Sequence, residues 1–589
     1  MSSLDALIQQ VIDYYHLTPS EITQYQHPER EAFNDPQALT EGLSFVTLFH
    51  QDCKQAIQSH RTVAICPDYD VDGIMSGMIL YSVLSDLYPQ LDLYLYHPRT
   101  ETGFGLSPTS IQDILKAKPR TQTVITSDNG SSSFSGVQYA NTHGLRVFIT
   151  DHHLSETTLP EPVALVNPKR QDQEETYCFD ALSGTGVAYK VMQLLITSYH
   201  PNVSASYILR YTPFVGLSVL SDVMAMRGEN RRFVACTVYF MTYLEQFLHL
   251  ANSRTVSGRF FQGFFALLTV LSEEGKLQYG LDETTLGFYI APLLNTPRRL
   301  FGASEEGFKL FQSSSPTTAY DQARHLFDWN EQRKREVNKV YEGVLQAVDS
   351  SPHFDPHFLC PVVNTRHGFS GLISGRLTDN FQLPTIVFGV PVDSEAVFVD
   401  PSTLPENFVL SASCRSTDWF HLHREMKAIQ TSHPEWFKTF GGHAKAAGCS
   451  IYNRYYEDFV QTFFERVQDV IRQTPVADRE EEGLTLTVFN QEVLKPFYQF
   501  IQSLKPFGED FPPPVFSFVL SDYTVKYMGK DSVHVKLVDN VSGFSVVWFF
   551  GAATMRTLEG QTLKVVGSLL ENTFNGKTTI QCKAESVRV

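Results

Sequence analysis

The sequence has no cysteine pattern that would indicate a disulfide framework or a zinc site. Its eight cysteines, at positions 53, 66, 178, 236, 360, 414, 449 and 582, are scattered over 589 residues. They form no Cys-x-x-Cys pair and no cluster with histidines. Reduced, buried thiols in a cytoplasmic protein are the simplest interpretation.

Long apolar runs and an excess of positive charge are also missing. No stretch of about 18 uninterrupted apolar residues occurs, and the segment MSSLDALIQQVIDYYHL has no basic part followed by an apolar core. We therefore expect no membrane span, no export signal and a cytoplasmic location. The net charge of −17 excludes wrapping of duplex DNA around a uniformly basic surface, but it leaves room for a local basic groove.

The length and the order of apolar segments predict several domains, because 589 residues exceed what one hydrophobic core supports. Short β-rich runs alternate with segments of helical spacing in the first half of the chain. This alternation predicts a parallel α/β sheet with helices on both faces. The runs are TVAIC (62–66), LDLYLY (91–96), QTVIT (122–126), LRVFIT (145–150) and VALV (163–166).

The remaining segments predict four further units around this α/β domain, which we place at residues 46–230. Residues 1–45 are expected to be helical, and residues 231–350 are expected to be helical with one long connecting helix after Pro316. Residues 351–475 have the pattern of a second α/β domain, followed by an acidic linker at 473–483. Residues 484–589, including a lead-in segment, have about five strands separated by turns, which is typical of a small β-barrel such as an OB-fold.

Acidic residues and histidines follow four apolar segments of the first α/β domain, which we interpret as strand ends. The carboxyl ends of parallel strands meet at one edge of a sheet, where ligands gather. The residues are Asp68, Asp70 and Asp72 after AIC, Asp128 after TVIT, Asp151, His152 and His153 after VFI, and Asp222 within VGLSVLSDVMAM.

Such a group of carboxylates predicts bound metal. Their mutual repulsion and desolvation would cost several kcal/mol unless a cation neutralised them. Oxygen-rich ligand sets with one or two imidazoles suit manganese or magnesium better than zinc or copper. Two such ions about 3.5–4 Å apart would favour hydrolysis of a phosphate ester.

Two other interpretations apply to the individual motifs. The pattern D-x-D-x-D-G resembles an EF-hand calcium loop, but that loop needs a glutamate at its twelfth position, and residues 78–82 contain no carboxylate. Each aspartate taken alone is as often a helix cap or turn former as a ligand. The co-occurrence of four motifs in one domain favours metal binding over either alternative.

In this order the motifs resemble those of the DHH phosphoesterase superfamily, named after the triplet seen here as Asp151, His152 and His153. Other segments are similar to those of the RecJ exonucleases within it, including their DHH-associated domain and OB-fold. The similarity runs from about residue 60 to residue 589. The segments are FYIAPLLNTPRRL (288–300), SGLISGRLTDNFQLPTIVF (370–388), SASCRS (411–416), GGHAKAAG (441–448), LKPFGEDFPPPVF (504–516) and GKDSVHVKL (529–537).

The resemblance implies specific roles for residues at the matching positions. The implied metal ligands are Asp70, Asp72, Asp128, His152 and Asp222, with Asp128 bridging two ions and Asp68 a ligand or immediate neighbour. His153 would stabilise the scissile phosphate, and Asp128, His152 and His153 are the implied catalytic residues. The implied substrate-binding residues are Asn295, Arg299, Arg376, Ser413, Arg415, Gly441, Gly442 and His443.

The sequence departs from the family pattern at a few positions outside the metal motifs. Arg298 replaces a glycine and Pro297 a small residue, so that either Arg298 or Arg299 could contact substrate. Gly375 stands where a serine is common. Phe511 replaces an expected asparagine.

The resemblance also implies exonucleolytic hydrolysis of single-stranded DNA, from the 5′ end with release of 5′-mononucleotides, in recombination and repair. Two divalent ions, manganese or magnesium, would be the cofactors. We expect a monomer whose partners are single-stranded DNA and either a single-strand binding protein or a helicase. The OB-fold would grip the strand by stacking and phosphate contacts, although an aromatic in a small barrel lies in the core at least half the time. The candidates are Lys526, Tyr527, Lys530, His534, Lys536, Trp548 and Phe549.

Two other functions compete with this one. A DHH enzyme that acts on short oligonucleotides would have the same chemistry, but such enzymes generally lack an OB-fold. An inactive replisome scaffold would have lost motif carboxylates, whereas all of them are present here.

Overall fold

The structure is a computed structural model of the 589-residue chain. It describes residues 3–28, 33–103, 105–155, 158–172, 177–204, 206–252, 254–277, 281–350, 357–473, 483–529, 532–549, 551–574 and 576–589. Most of the predicted linker and the candidate residue Lys530 lie outside the described residues.

The first α/β domain contains a five-stranded parallel sheet in the order β2-β1-β3-β4-β5. Alternate side chains of its strands face two apolar layers, one that includes Val63 and Ile65 and one that includes Ala64 and Cys66. Helices therefore cover both faces, as predicted. The strands are β1 (Thr62–Pro67), β2 (Asp92–Leu95), β3 (Thr121–Ser127), β4 (Arg146–Thr150) and β5 (Ala164–Val166).

Ten helices precede, connect or follow these strands in the described part of the chain. They are α1 (Ser3–Tyr14), α2 (Pro19–Gln26), α3 (Gly42–Ser59), α4 (Val71–Leu87), α5 (Pro108–Ala117), α6 (Phe134–Thr142), α7 (Gly184–Tyr199), α8 (Ser206–Leu209), α9 (Thr212–Ser221) and α10 (Gly228–Thr242). Short 3₁₀ turns occur at Pro36–Ala38, Thr100–Thr102 and Leu244–Leu250.

The helical region ends in the long connecting helix that the sequence predicts. It comprises α11 (Val256–Glu273), a π-helical turn (Thr285–Ile290), α12 (Ala291–Phe301), α13 (Glu305–Gln312) and α14 (Pro316–Ser350). Along α14 apolar residues recur at intervals of three and four, and Ala319, Ala323 and Leu326 are fully buried. No helix within the described ranges is long and apolar enough to cross a membrane.

The second α/β domain has a mixed five-stranded sheet in the order β6-β7-β8-β10-β9. Its elements are β6 (Val362–Val363), α15 (Ser370–Phe381), β7 (Thr385–Gly389), β8 (Val409–Arg415), α16 (Leu422–Ser432), β9 (Phe437–Gly442), β10 (Ala446–Tyr452) and α17 (Tyr456–Gln473). The sequence analysis found no strand at β9 or β10, because FKTFGG and AAGCSIY contain too many small and polar residues to form a typical β pattern.

The C-terminal unit is a β domain of seven paired strands in the order β11-β12-β16-β17-β15-β14-β13. Its elements are β11 (Leu484–Thr485), α18 (Gln491–Ser503), β12 (Val515–Leu520), β13 (Tyr523–Met528), β14 (His534–Asp539), β15 (Ser545–Trp548), α19 (Ala552–Leu558), β16 (Leu563–Phe574) and β17 (Lys577–Arg588). The predicted fold class is confirmed. The run VFSFVLSDYTVKYMG, which the sequence pattern predicts as one strand, forms two strands, β12 and β13, separated at Ser521 and Asp522.

One hydrophobic cluster joins the N-terminal helices, the first α/β domain, the helical region and the C-terminal β domain. Phe511 lies in this junction, where its ring is 4.4 Å from that of Tyr15 and 5.0 Å from that of Tyr25. Arg231 of α10 stacks on Tyr25 and donates to the carbonyls of Leu504 and Pro506. The second α/β domain has a core of its own and a second cluster that it shares with α14. The C-terminal β domain is therefore continuous with the core of the first α/β domain.

Candidate metal centre

The centre lies at the carboxyl edge of the parallel sheet, where β1, β3 and β4 are neighbours. Asp68 and Asp70 follow β1, Asp128 follows β3, and His152 and His153 follow β4. After β1 the chain continues to β2, which lies at one edge of the sheet, whereas after β3 it continues to β4, toward the opposite edge. This is a topological switch point, the usual ligand site of an open α/β sheet.

The predicted metal ligands converge here. The Nε2 atom of His152 lies 3.1 Å from an oxygen of Asp128, 3.5 Å from one of Asp222 and 3.7 Å from one of Asp72. Three sets of potential ligand atoms lie within 4.8 Å of one another, and Asp128 and His152 each belong to two of them. The sets are Asp128, His152 and His153; Asp72, His152 and Asp222; and Asp68, Asp70 and Asp128.

Asp222 was predicted to follow a strand, and this is wrong. It caps the C-terminus of α9, where its backbone N–H donates to the carbonyl of Ser218. The segment TPFVGLSVLS is apolar all round because α9 is buried, and a buried helix of ten residues cannot be distinguished from a strand by periodicity. The Asp222 carboxylate nevertheless lies at the centre, as predicted, although a helix and not a strand precedes it.

Asp128 adopts an uncommon backbone conformation in a tightly packed turn. Its φ is +62°, in the left-handed region that non-glycine residues rarely occupy. The following Asn129 fixes the turn, because its side-chain amide donates to the carbonyls of Cys66 and Ser127. The N-terminus of α7 packs so closely on Asp128 that a Cβ on Gly184 would lie 2.4 Å from Asp128 Oδ1.

Asp72 is held by the start of α7. Its carboxylate accepts hydrogen bonds from the backbone N–H groups of Gly184, at 2.8 Å, and Thr185, at 2.6 Å. The hydroxyl of Ser218 donates to it at 2.7 Å. The partial positive charge of a helix N-terminus favours an anion at this position. Asp70 has a second function, since it caps α4 by accepting from the N–H of Gly73.

His153 is oriented by Asp151. The buried Asp151 carboxylate accepts from His153 Nδ1 at 2.8 Å, from the His153 backbone N–H and from the Ser131 backbone N–H. Partial burial lowers the pKa of His153, but the hydrogen bond and charge of Asp151 outweigh it and raise the pKa to about 9. At neutral pH His153 is therefore a cation whose second ring nitrogen is left to donate.

The electrostatics of the cluster fit divalent cations. Burial and the charge of Asp70 raise the pKa of Asp68 to about 8, and burial and the charge of Asp72 raise that of Asp222 to about 8. Burial and the same neighbours raise the pKa of Asp128 well above its usual range. Asp128 Oδ1 and His152 Nε2 are buried atoms that have no hydrogen-bond partner among the described residues. Unpaired buried acceptors in a carboxylate cluster are what hard cations neutralise, so these residues fit manganese or magnesium.

Three arginines from three elements lie near one another in the described part of the chain. Arg299 of α12 donates to the carbonyl of Gly368, Arg333 of α14 donates to Asn330 Oδ1 at 2.8 Å, and Arg415 ends β8. The pKa of Arg299 is lowered to about 10, mainly by burial and also by the positive charges of Arg333, Arg298 and Arg415. These positively charged side chains are candidates to bind phosphate.

The other predicted substrate residues occupy different positions. Asn295 lines a cavity with Arg299, and Ser413 accepts from the hydroxyl of Ser370 on the neighbouring helix. Arg376 is directed toward α14, where it stacks on Tyr341 and donates to Asn338.

Gly441 and Gly442 are the exposed last residues of β9, and His443 begins the exposed turn that leads to β10. Gly442 pairs with Ala447, which pairs with Cys414. The turn therefore lies at the same end of the sheet as Arg415, two strands away.

Arg298, for which the sequence left two possibilities open, stacks on Tyr69, with its guanidinium carbon 3.4 Å from the ring centroid. Tyr69 lies between Asp68 and Asp70 in the chain. The charge of Arg298 therefore acts on the metal motif, whereas Arg299 lines the cavity.

None of the described candidates of the C-terminal β domain is fully buried, although Tyr527 and Trp548 pack against its core. Lys526 and Lys536 pair directly across β13 and β14, so two like charges face each other. His534 contacts Phe549, whose side chain is 48% exposed, while the alternate residues of β14 are buried. The tyrosine hydroxyl of Tyr527 donates to Glu559, and Trp548 is half-buried.

Sequence reasoning missed the residues that hold the ligands. Ser183, Gly184, Thr185 and Ser218 position Asp72, and Asn129 fixes the turn at Asp128. Asp151 was named among the acidic residues of the motifs, but its role in positioning His153 was not predicted. The run SGTG at 183–186 is a detectable signal, because a serine cap followed by glycines is typical of a helix N-terminus that binds an anion.

Comparison with known families gives three matches in the predicted order. Residues 62–210 match the DHH family N-terminal domain, residues 357–473 the DHHA1 domain, and residues 486–586 the RecJ OB domain. Together they cover both α/β domains and the C-terminal β domain.

Individual relatives extend over most of the chain. The single-stranded-DNA-specific exonuclease RecJ of Haemophilus influenzae is 28% identical over 509 residues, which is 82% of this chain and 79% of the relative. The enzyme of the same name from Salmonella typhimurium is 28% identical over 474 residues, covering 78% of this chain and 75% of the relative. The crystal structure of RecJ in complex with Mn²⁺ from Thermus thermophilus covers 99% of this chain and 78% of that chain, with a TM-score of 0.71 at 19% identity. The structural likeness establishes the fold.

Proposed function

The chain belongs to the DHH family with the domain order of the RecJ exonucleases, and on that premise we propose that it is a metal-dependent exonuclease that hydrolyses single-stranded DNA. The observation that carries the proposal is the convergence of Asp72, Asp128, His152 and Asp222 around buried atoms that have no hydrogen-bond partner in the described part of the chain. Manganese or magnesium are the cofactors, in agreement with the Mn²⁺ and Mg²⁺ complexes of the Thermus thermophilus protein.

The residues that would hold the two ions are Asp68, Asp70, Asp72, Asp128, His152 and Asp222, with Asp128 contributing to both sites. When bound, such a pair activates a water and neutralises the charge that develops on the phosphate. The hydrogen bonds from α7 and Ser218 keep Asp72 oriented, so little reorganisation is needed during the reaction.

His153 would donate a hydrogen bond to a phosphate oxygen. Its Nδ1 is committed to Asp151, so the ring orientation is fixed and the opposite nitrogen points away from that partner. The hydrogen bond and charge of Asp151 favour the protonated form of His153, which would add positive charge where negative charge increases in the transition state. Arg299, Arg333 and Arg415 would hold the flanking phosphates.

The two competing functions are less well supported. An enzyme for short oligonucleotides would not need the RecJ OB domain, whose paired Lys526 and Lys536 suit a longer strand. An inactive scaffold would not need six aligned metal ligands. Degradation from the 5′ end, the role in recombination and repair, the partner proteins and the monomeric state remain predictions.

The test is degradation of a single strand blocked at either end, with manganese and magnesium compared. We expect loss of the 5′-accessible strand, with release of 5′-mononucleotides, and no loss of the matching duplex. A strand degraded only from its 3′ end contradicts the polarity, and equal degradation of duplex contradicts the substrate. A dinucleotide hydrolysed faster than the long strand would favour the oligonucleotide function.

Gly184→Ala should slow hydrolysis about 100-fold, because displacement of a reacting group by about 1 Å can cost that much. The added Cβ would lie 2.4 Å from Asp128 Oδ1 and 2.5 Å from Asp128 Cβ, so the carboxylate must move. The measurement is kcat on an oligonucleotide at saturating manganese. Gly186→Ala in the same helix is the matched control, since its new Cβ would meet the flexible Leu182 side chain at 3.2 Å. Equal rates for the two variants would show that Asp128 tolerates displacement.

A further inference from the structure

Phe288 is a large apolar side chain that the fold leaves in solvent. Its exposed fraction is 73%, although phenylalanine is among the residues most often buried. It lies in the π-helical turn directly before α12. Such turns are rare and are frequently found at functional sites.

Phe288 lines a cavity of about 690 Å³ between α9, the π-helical turn, α12 and the segment that leads into the C-terminal β domain. Ser221 and Val223 form part of its wall, so it adjoins Asp222, which lies between them. Val223 is 64% exposed and has a φ of +52°, a costly conformation for a β-branched residue. Strain and exposure therefore coincide beside a predicted metal ligand.

The cavity combines apolar surface with positive charge. Pro513, Pro514 and Leu569 add apolar surface, and Arg299 and Arg333 supply the charge. Within the described ranges, neither arginine forms an ion pair with a carboxylate, and both donate to neutral oxygens. Both guanidiniums are partly buried, and a partly desolvated guanidinium of this kind favours an anionic ligand. An apolar peptide would leave these charges unmatched, whereas a nucleotide supplies both a flat apolar face and a phosphate.

We propose that Phe288 is a stacking platform for one base of the DNA strand, and that this cavity holds the nucleotide next to the one at the metal centre. The proposal rests on the proposed function and specifies how the same site selects its substrate. Stacking on an aromatic face tolerates any base, since every base has a π-face. A base within a duplex has both faces covered by its neighbours, so Phe288 would select for single strands.

The test asks whether Phe288 and one particular base of the strand contribute to the same interaction. Oligonucleotides of one sequence carry an abasic nucleotide at successive positions from the degraded end, and KM is measured for the wild type, Phe288→Ala and Phe288→Trp. For the wild type we expect one abasic position to raise KM by about tenfold. Phe288→Ala should raise KM on the intact strand by a similar factor, and an abasic nucleotide at the sensitive position should then raise KM no further. Phe288→Trp should show the same dependence of KM on the abasic position as the wild type.

Leu248→Ala, which also removes an exposed apolar side chain outside the cavity, should keep the wild-type profile. A flat profile in the wild type, or an unchanged profile in Phe288→Ala, would overturn the proposal. So would loss of dinucleotide hydrolysis in Phe288→Ala, because the residue would then act on the metal centre. If instead the wild type degrades no single strand at all, it is the proposed function that fails.

Discussion

Asp128→Asn should lower the hydrolysis rate by at least about 1,000-fold, because it removes the one carboxylate shared between the ligand sets and with it several kcal/mol of charge stabilisation. The substitution keeps the size of the side chain, so the turn with φ of +62° and the packing on Gly184 are retained. Binding of the single strand, measured by fluorescence anisotropy, should change little, because the arginines and the C-terminal β domain are untouched.

The same variant should be more stable than the wild type without metal. Burial and the charges of Asp72 and Asp70 raise the pKa of Asp128, so at every pH above the unfolded-state pKa the folded state is penalised relative to the unfolded state. Asparagine has no charge and removes this penalty. In chelator we expect a higher Tm for Asp128→Asn, and in manganese a larger gain of Tm for the wild type, because ligands that bind only the folded state stabilise it. A lower Tm in chelator would show that the carboxylate is a structural residue.

Lys190→Met should destabilise the first α/β domain by about 3–5 kcal/mol, since it leaves a buried carboxylate without its cation. Lys190 is fully buried in α7, and its ammonium contacts Glu229, which is 4% exposed. It also donates to the carbonyl of Asn34 at 2.6 Å. Glu229 accepts from the backbone N–H of Asn34 and from the hydroxyl of Tyr177, so it cannot turn to solvent without breaking those bonds.

The measurement for Lys190→Met is urea denaturation followed by circular dichroism. Lys309→Met is the matched control, because Lys309 forms an exposed pair with Glu306 that is worth about 0–1 kcal/mol. Adding Glu229→Gln to Lys190→Met should restore part of the loss, as it removes the unpaired charge. A loss below about 1 kcal/mol for Lys190→Met would mean that water reaches Glu229.

The sequence predicted the parallel sheet and the location of the metal centre because both depend on short-range patterns. Strands buried on both faces are continuous apolar runs, and a charged residue directly after such a run marks the sheet edge. The location of Asp128 and His152 follows from these two facts. Asp222 lies at the centre because it ends a buried helix and not a strand, and only its carboxylate indicated a role in metal binding.

Long-range contacts explain what the sequence did not predict. The hydrogen bonds from the start of α7 to Asp72 join residues more than 100 positions apart, and the sequence near Asp72 does not indicate these partners. Phe511 looked like a departure from a family motif, but it fills a space between Tyr15 and Tyr25 that only the folded chain creates. The split between β12 and β13 was missed because Ser521 and Asp522 make the turn without glycine or proline.

The continuous core also determines when the protein can mature on the ribosome. Domains generally fold as they emerge, starting from the N-terminus. Here α1 packs against α18, and Tyr15 donates to the carbonyl of Pro512, so the first helix completes its contacts only after residues near 512 have been synthesised. Until then the apolar side chains of Leu7 and Val11 lack the part of the hydrophobic cluster that α18 provides. A nascent chain that stalls before this point would expose apolar surface, which makes it a substrate for chaperones and proteases rather than a shorter nuclease.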